Sequence, residues 1–179
     1  MEPLEIIRKY YAEGTELYDI LLTHSRLVTE KALEIAERNP QEEFDLRFVY
    51  EAAMLHDIGI YLTNAPKIHC HGSFHYICHG YLGADLMRAE GFPRHALVCE
   101  RHTGTGISLD AILRMNLPVP HRDMRPVTKE EQLICYADKF FSKTDLYTEK
   151  TTDKVLKSLA KFGDDAISQF QFWLEKWGR

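Results

Sequence analysis

The residues best suited to chemistry lie in the stretch Ala53-Met54-Leu55-His56-Asp57-Ile58-Gly59. A carboxylate stands beside an imidazole, and the apolar residues before them place the pair at the border of a core. Burying both groups costs free energy unless something binds them. A divalent metal is the simplest partner, because it takes imidazole nitrogen and carboxylate oxygen together. One His-Asp dipeptide carries little weight by itself. The weight comes from the other histidines, nine in 179 residues, none before His24 and none after His121. Helical periodicity sets His24, His79, His102 and Asp138 on or beside the apolar stripes of four further helices. A lone histidine on an apolar face is ordinarily a hydrogen-bonded core residue. Five helices that each do the same point to a shared partner, since buried ionisable groups need one another or a common ion.

Taken in order, His24-Ser25 in a long helix, His56-Asp57-Ile58-Gly59, and Tyr136-Ala137-Asp138-Lys139 after a capped helix start form an H…HD…D pattern. This pattern resembles the HD superfamily of metal-dependent phosphohydrolases, in its HDIG variant, over about residues 24–143. His79 in His79-Gly80-Tyr81-Leu82-Gly83-Ala84 and His102 in Arg101-His102-Thr103 resemble the two extra histidines of the family's binuclear branch. That branch includes symmetrical dinucleoside-tetraphosphate hydrolases and cyclic-dinucleotide phosphodiesterases. The resemblance implies that His24, His56, Asp57 and Asp138 hold one metal. It implies a second on His79 and His102, with Asp57 bridging. Mixed nitrogen and oxygen donors suit iron, manganese or zinc better than calcium or magnesium. Two such ions, about 3.5–4 Å apart, would turn a bridging water into hydroxide and clamp phosphoryl oxygens, so no nucleophilic side chain is required.

Phosphate also needs fixed cations. The nearest in sequence are Arg26, Arg101, Lys139 and Lys143. Asp57, Lys139 and Arg101 are the catalytic candidates; Arg26, His75, Lys139 and Lys143 are the substrate-binding ones. A solvated surface charge is the alternative for Arg26 and Lys143. Arg122 and Arg125, in a proline-containing loop with His121, are placed to reach over the cleft mouth, with a disordered loop as the alternative. His69, Cys70, His71, His75 and Cys78 fit no zinc-finger spacing and read as a loop bordering the cleft. There His75 precedes His79 by one helical turn and faces the same way, or else is a surface residue. His95 and His121 read as structural. One departure from the family matters: many HDIG proteins carry a lysine just after the motif, where this chain has Ile60.

The expected activity is hydrolysis of a phosphoester or phosphoanhydride bond in a small phosphorylated substrate, a nucleotide by preference. The alternatives are a mononucleotide phosphatase with one essential metal, a nucleotide sensor without turnover, and a di-iron oxygenase. The Thr103-Gly104 context leans toward the dinucleoside-polyphosphate branch, and the proline-rich segment between Gly106 and Thr128 leans away from it.

The elements that must position these residues are helical, and no stretch sustains strand alternation. Pro3 suits a first helical turn. Gly14 breaks that helix, and Thr15 caps a long one over about residues 16–38 with Leu17, Leu21, Val28 and Ile35 on its stripe. Asp45 caps a third that runs to His56-Asp57 and ends at Gly59. Residues 61–73 read as loop, 75–90 as a fourth helix, and Pro93 to about His102 as a fifth. A short helix follows Ser108. Pro118, Pro120 and Pro126 give an extended loop, and Thr128 with Glu131 forms a capping box before the Asp138 helix. Two more helices, 152–162 and about 164–177, read as core cover without chemistry of their own. The expected architecture is an all-α HD-type bundle of about seven to eight helices in one domain, 1–179, with the metal-site core at about 16–145 and covering helices at about 152–177.

Composition agrees with a globular chain: 45% hydrophobic and 27% charged residues. A net charge of −5 and a pI near 6.0 argue against binding of nucleic-acid duplexes. No secretory leader or membrane-length apolar run is evident, and the four cysteines lack framework spacing, so a cytoplasmic protein with reduced thiols is expected. An apolar face on the last two helices offers a surface for a homodimer.

Overall fold

The computed structural model describes residues 1–178. It consists of nine α-helices and one small hairpin among these residues: α1 Pro3–Tyr10, α2 Glu16–Arg38, α3 Leu46–Leu55, β1 Asn64–Ala65, β2 Cys70–His71, α4 His79–Ala89, α5 Pro93–Arg101, α6 Leu109–Arg114, α7 Lys129–Asp138, α8 Thr152–Leu159 and α9 Asp164–Trp177. The fold is therefore an all-α bundle, as the periodicity predicts.

Several boundaries follow from single side chains. Thr15 Oγ1 accepts a hydrogen bond from the Tyr18 amide and starts α2. Asp45 does the same for Phe48 and α3 at 3.1 Å. Thr128 Oγ1 accepts from Glu131 N at 3.2 Å. The return half of the expected capping box is shifted, however: Glu131 Oε2 accepts from Val127 N at 2.8 Å and from Arg101 Nη1 at 2.8 Å. That carboxylate thus ties the start of α7 to the end of α5.

The core has two large apolar clusters. One joins α2, α3, α7, α8 and α9 around Ile35, Val49, Tyr136, Phe140, Phe170 and Trp173. The other joins α1 to α5 around Ile7, Leu21, Leu55, Ile58 and Met87. The His56-Asp57 turn lies where they meet. Tyr11, just after α1, pins it, its hydroxyl donating to the Ile58 carbonyl at 2.8 Å.

Four expectations need correction. Helix α3 stops at Leu55, so His56-Asp57-Ile58-Gly59 forms the turn after the helix rather than its last turn. Residues 61–73 are not all loop: β1 and β2 pair antiparallel, Asn64 opposite His71, but two residues each are too short to show a period of two. The fourth helix starts at His79, and His75 lies outside it, its Nδ1 accepting from Ile77 N at the start of a 3-10 turn, Tyr76–Cys78. The proline segment is anchored, with Val119 and Met124 buried and Ile107 and Met124 exchanging backbone hydrogen bonds at 3.2 and 2.9 Å. Arg122 pairs with Glu100 and Arg125 with Asp123, so neither reaches over the cleft.

Candidate metal centre

Five segments deliver the donors, four of them at helix ends. His24 projects from the middle of α2. His56 and Asp57 follow α3, His79 is the first residue of α4, His102 caps α5, and Asp138 ends α7. All six side chains are buried.

Their donor atoms fall into two groups that share one carboxylate. His24 Nε2, His56 Nε2, Asp57 Oδ2 and Asp138 Oδ1 form the first, with nitrogen–oxygen separations of 3.0–3.5 Å. Asp57 Oδ1 lies 3.4 Å from both His79 Nε2 and His102 Nε2, which are 3.0 Å apart. Donors held roughly 2.0–2.2 Å from a common ion at near-tetrahedral or octahedral angles are separated by roughly 3.0–3.5 Å, so the spacing fits.

Proton positions make the same argument. Nδ1 of His56 lies 2.6 Å from the Ala53 carbonyl, that of His79 2.7 Å from Tyr76, and that of His102 2.8 Å from Cys99. A carbonyl only accepts, so each Nδ1 carries the proton and each Nε2 turns a lone pair inward. The Nε2 atoms of His79 and His102 then face each other lone pair to lone pair. His56 Nε2 and Asp57 Oδ1 are buried without a hydrogen-bond partner. Only positive charge resolves such a set, and the residues present fit divalent metal.

Electrostatics support this. Burial, then the neighbouring His102, push His79 down to about 3, which keeps it neutral. Burial likewise lowers His102. Burial opposes charge on His56, but the carboxylates of Asp57 and Asp138 outweigh it and raise it to about 9, so they favour positive charge at this spot, either a proton on the His56 ring or a metal in its place. Asp57 and Asp138 stay well below the usual carboxylate range: Lys143 and His56 overcome the burial of Asp57, and Lys139 and His24 that of Asp138.

Three of the six, His79, His102 and Asp138, line the floor of a cavity of about 380 Å³. Lys139 lies on its wall, donating to the His102 carbonyl at 2.9 Å and lying 2.7 Å from Asp138 Oδ2. Lys143 lies there too, its Nζ 2.5 Å from Asp57 Oδ2. An ammonium therefore reaches the centre from another segment, while Ile60 is fully buried in the apolar core. The other sequence candidates lie off this wall. Arg101 pairs with Glu131 at 2.8 Å, and Arg26 and His75 are exposed. Conversely, Tyr76, Lys67, Lys150, Lys161 and Phe162 line the cavity and were not singled out by the sequence. The Tyr76 ring stacks on His79, centroids 4.7 Å apart. Phe162 and Lys161 correct the reading of the last two helices as mere cover.

A fold of this kind around an H…HD…D donor set defines a metal-binding helical domain. Residues 21–142 match the HD domain model, and the chain belongs to the HD domain family. It is 35% identical over 121 residues to an uncharacterized protein of Methanocaldococcus jannaschii, covering 66% of this chain and 64% of that one. It is 32% identical over 125 residues to a tRNA (cytidine(56)-2'-O)-methyltransferase of Picrophilus torridus, covering 69% of this chain and 32% of that one. The chain thus spans less than two thirds of the length of either relative. No solved structure matches. No helix among the described residues is long and apolar enough to cross a membrane.

Proposed function

We propose that this protein is a metal-dependent phosphohydrolase with two divalent ions, acting on a small phosphorylated substrate, a nucleotide by preference. The observation that carries this reading is Asp57, which turns Oδ2 to His24, His56 and Asp138 and Oδ1 to His79 and His102, three of which, His79, His102 and Asp138, line a cavity with five lysines. We read the six residues as ligands, Asp57 as the bridge, and the whole of 1–179 as one HD-type domain. Iron, manganese or zinc suits the donors.

When bound, such ions supply a water acidified toward hydroxide and positive charge for the phosphoryl oxygens. The chain supplies the rest. His56, His79 and His102 are held by carbonyls, so their lone pairs need no reorganisation. Lys143 stays an ammonium because the Asp57 carboxylate outweighs its burial and raises its pKa. It is placed to meet a developing negative charge on the phosphoryl group. Lys139 holds Asp138 and the end of α5 in register and offers a second cation. Tyr76, Phe141 and Phe162 give the wall apolar faces suited to a nucleobase. Arg101 is better read as a brace between α5 and α7 than as a catalytic group.

The paired Nε2 atoms of His79 and His102 favour this over a mononucleotide phosphatase with one essential metal, in which they would have no metal role. The tRNA methylation named for the Picrophilus relative is not carried over, since this chain spans 32% of it. The test is anaerobic purification without chelator, then phosphate or mononucleotide release from dinucleoside polyphosphates, cyclic dinucleotides and mononucleotides with manganese or iron added. Turnover lost in both Asp57→Ala and His79→Ala supports the binuclear hydrolase. Loss in Asp57→Ala alone supports the one-metal phosphatase. Oxygen uptake without phosphate release would replace hydrolysis by the oxygenase, and binding without turnover by the sensor.

A further inference from the structure

The cavity wall carries more positive charge than one phosphoryl group requires. Five lysines line it, Lys67, Lys139, Lys143, Lys150 and Lys161, and Asp138 is the one carboxylate among its lining residues. Two of the five are committed to the floor, Lys139 at Asp138 and Lys143 at Asp57. Lys150 Nζ lies 3.1 Å from the Phe141 carbonyl. Lys67 and Lys161 are different: neither forms an ion pair among the described residues, and both are exposed. They come from unrelated segments, Lys67 from the turn joining β1 to β2 and Lys161 from the turn after α8. Lys161 Nζ lies 5.0 Å from the Phe162 ring centroid, and that ring also lines the cavity. Exposed lysines are commonly solvated and inert. Two lysines without an ion pair, from separate segments that line one cavity, are a more specific arrangement, because they add positive charge to its wall beyond the pairs already made at the floor.

We infer that Lys67 and Lys161 are specificity-determining residues that grip a second anionic group of the substrate, one linked to the reacting phosphoryl group through a phosphate chain. This rests on the hydrolase reading of the same site. The residues act on binding, and the reacting atoms stay with the floor. The group recognised is the phosphate chain, whether free or attached to a nucleoside.

The test uses the metal-loaded protein and the double variant Lys67→Gln/Lys161→Gln. Both residues are exposed, so the fold should tolerate the changes, which thermal melting checks. Calorimetry would compare three non-hydrolysed probes: orthophosphate, methylenediphosphonate and a methylene-bridged nucleoside diphosphate. The double variant is expected to bind both two-phosphate probes about tenfold more weakly, the scale expected for two exposed ion pairs together, with orthophosphate unchanged. If only the nucleoside probe binds measurably to the wild type and is weakened, the apolar wall joins the lysines in recognition. In turnover, KM for a nucleoside triphosphate should rise while kcat, and KM for the monophosphate, stay put. Unchanged binding of both two-phosphate probes overturns the inference, as does an equal loss for orthophosphate. Should no phosphate compound be turned over while the calorimetric difference persists, hydrolysis falls and the anion grip stands.

Discussion

His56, His79 and His102 each donate Nδ1–H to the carbonyl three residues earlier, at 2.6–2.8 Å. One backbone device therefore sets three tautomers, and the lone pairs meet where only a cation satisfies them. Lys143 presents its ammonium 2.5 Å from Asp57 Oδ2. Removing it should cost transition-state stabilisation rather than metal: Lys143→Ala is expected to lower kcat by about a hundredfold, the scale for one lost donor at a developing oxyanion, with metal content unchanged. Steady-state kinetics on the active substrate would check this, and an unaltered kcat would remove Lys143 from the mechanism. A second residue-scale consequence lies away from the centre. Burial opposes charge on Glu51, but the Met1 amine, Arg47 and His95 outweigh it and lower its pKa. Burial also lowers His95, against the pull of Glu51. Both groups bind fewer protons folded than unfolded, so stability is present at neutral pH and falls on acidification, His95 contributing below its unfolded value of about 6.5 and Glu51 below about 4.3. Urea midpoints of metal-saturated protein should drop between pH 7.5 and 5.5, and His95→Gln should flatten that drop. Equal slopes in both proteins would contradict it.

Helix ends do the positioning, and their close approach depends on small residues. A Cβ at Gly59 would lie 2.4 Å from both the Gly83 amide nitrogen and the His79 carbonyl oxygen. Gly59 has φ −87°, so its role is contact with α4, not backbone freedom or helix termination. That contact holds the Asp57 turn against the helix that begins with His79. Gly59→Ala is expected to destabilise by about 3 kcal/mol, at the upper end for overpacking against unyielding backbone, and to weaken metal retention. Chemical denaturation with metal analysis would check both, and a wild-type midpoint would refute the packing argument. The helices carrying the donors were legible because their stripes repeat at three and four residues and because Thr15, Asp45 and Thr128 cap three of them. The end of α3 was not, since Gly59 looks like a helix stop whichever role it plays. Nor was the place of His75, whose spacing from His79 suggests one face only if both are helical.

At the scale of the whole molecule, the last helices complete the centre's support. Trp173 is fully buried against Tyr136 of α7, and its Nε1–H donates to Gln132 at 3.0 Å. Trp173→Ala should cost about 3–5 kcal/mol, as for other buried aromatic truncations, and loosen the helix that ends in Asp138. Urea unfolding would show it, and a loss under about 1 kcal/mol would mean α9 is dispensable. The six residues that cluster at the candidate centre stood out in the sequence because buried charge on apolar stripes is unusual. Lys67, Lys150 and Lys161 could not, because lysines outside a stripe carry no periodic signal and only the folded chain gathers them around one cavity.

The central claim is that Asp57 is shared by two ions, and metal stoichiometry tests it most directly. Protein grown with iron, manganese and zinc supplied would be analysed by mass spectrometry of its metals, alongside His79→Ala and Asp57→Ala, each confirmed as folded. The account predicts two ions per chain in the wild type, one in His79→Ala and fewer than one in Asp57→Ala. A single ion in the wild type that His79→Ala leaves in place would contradict it.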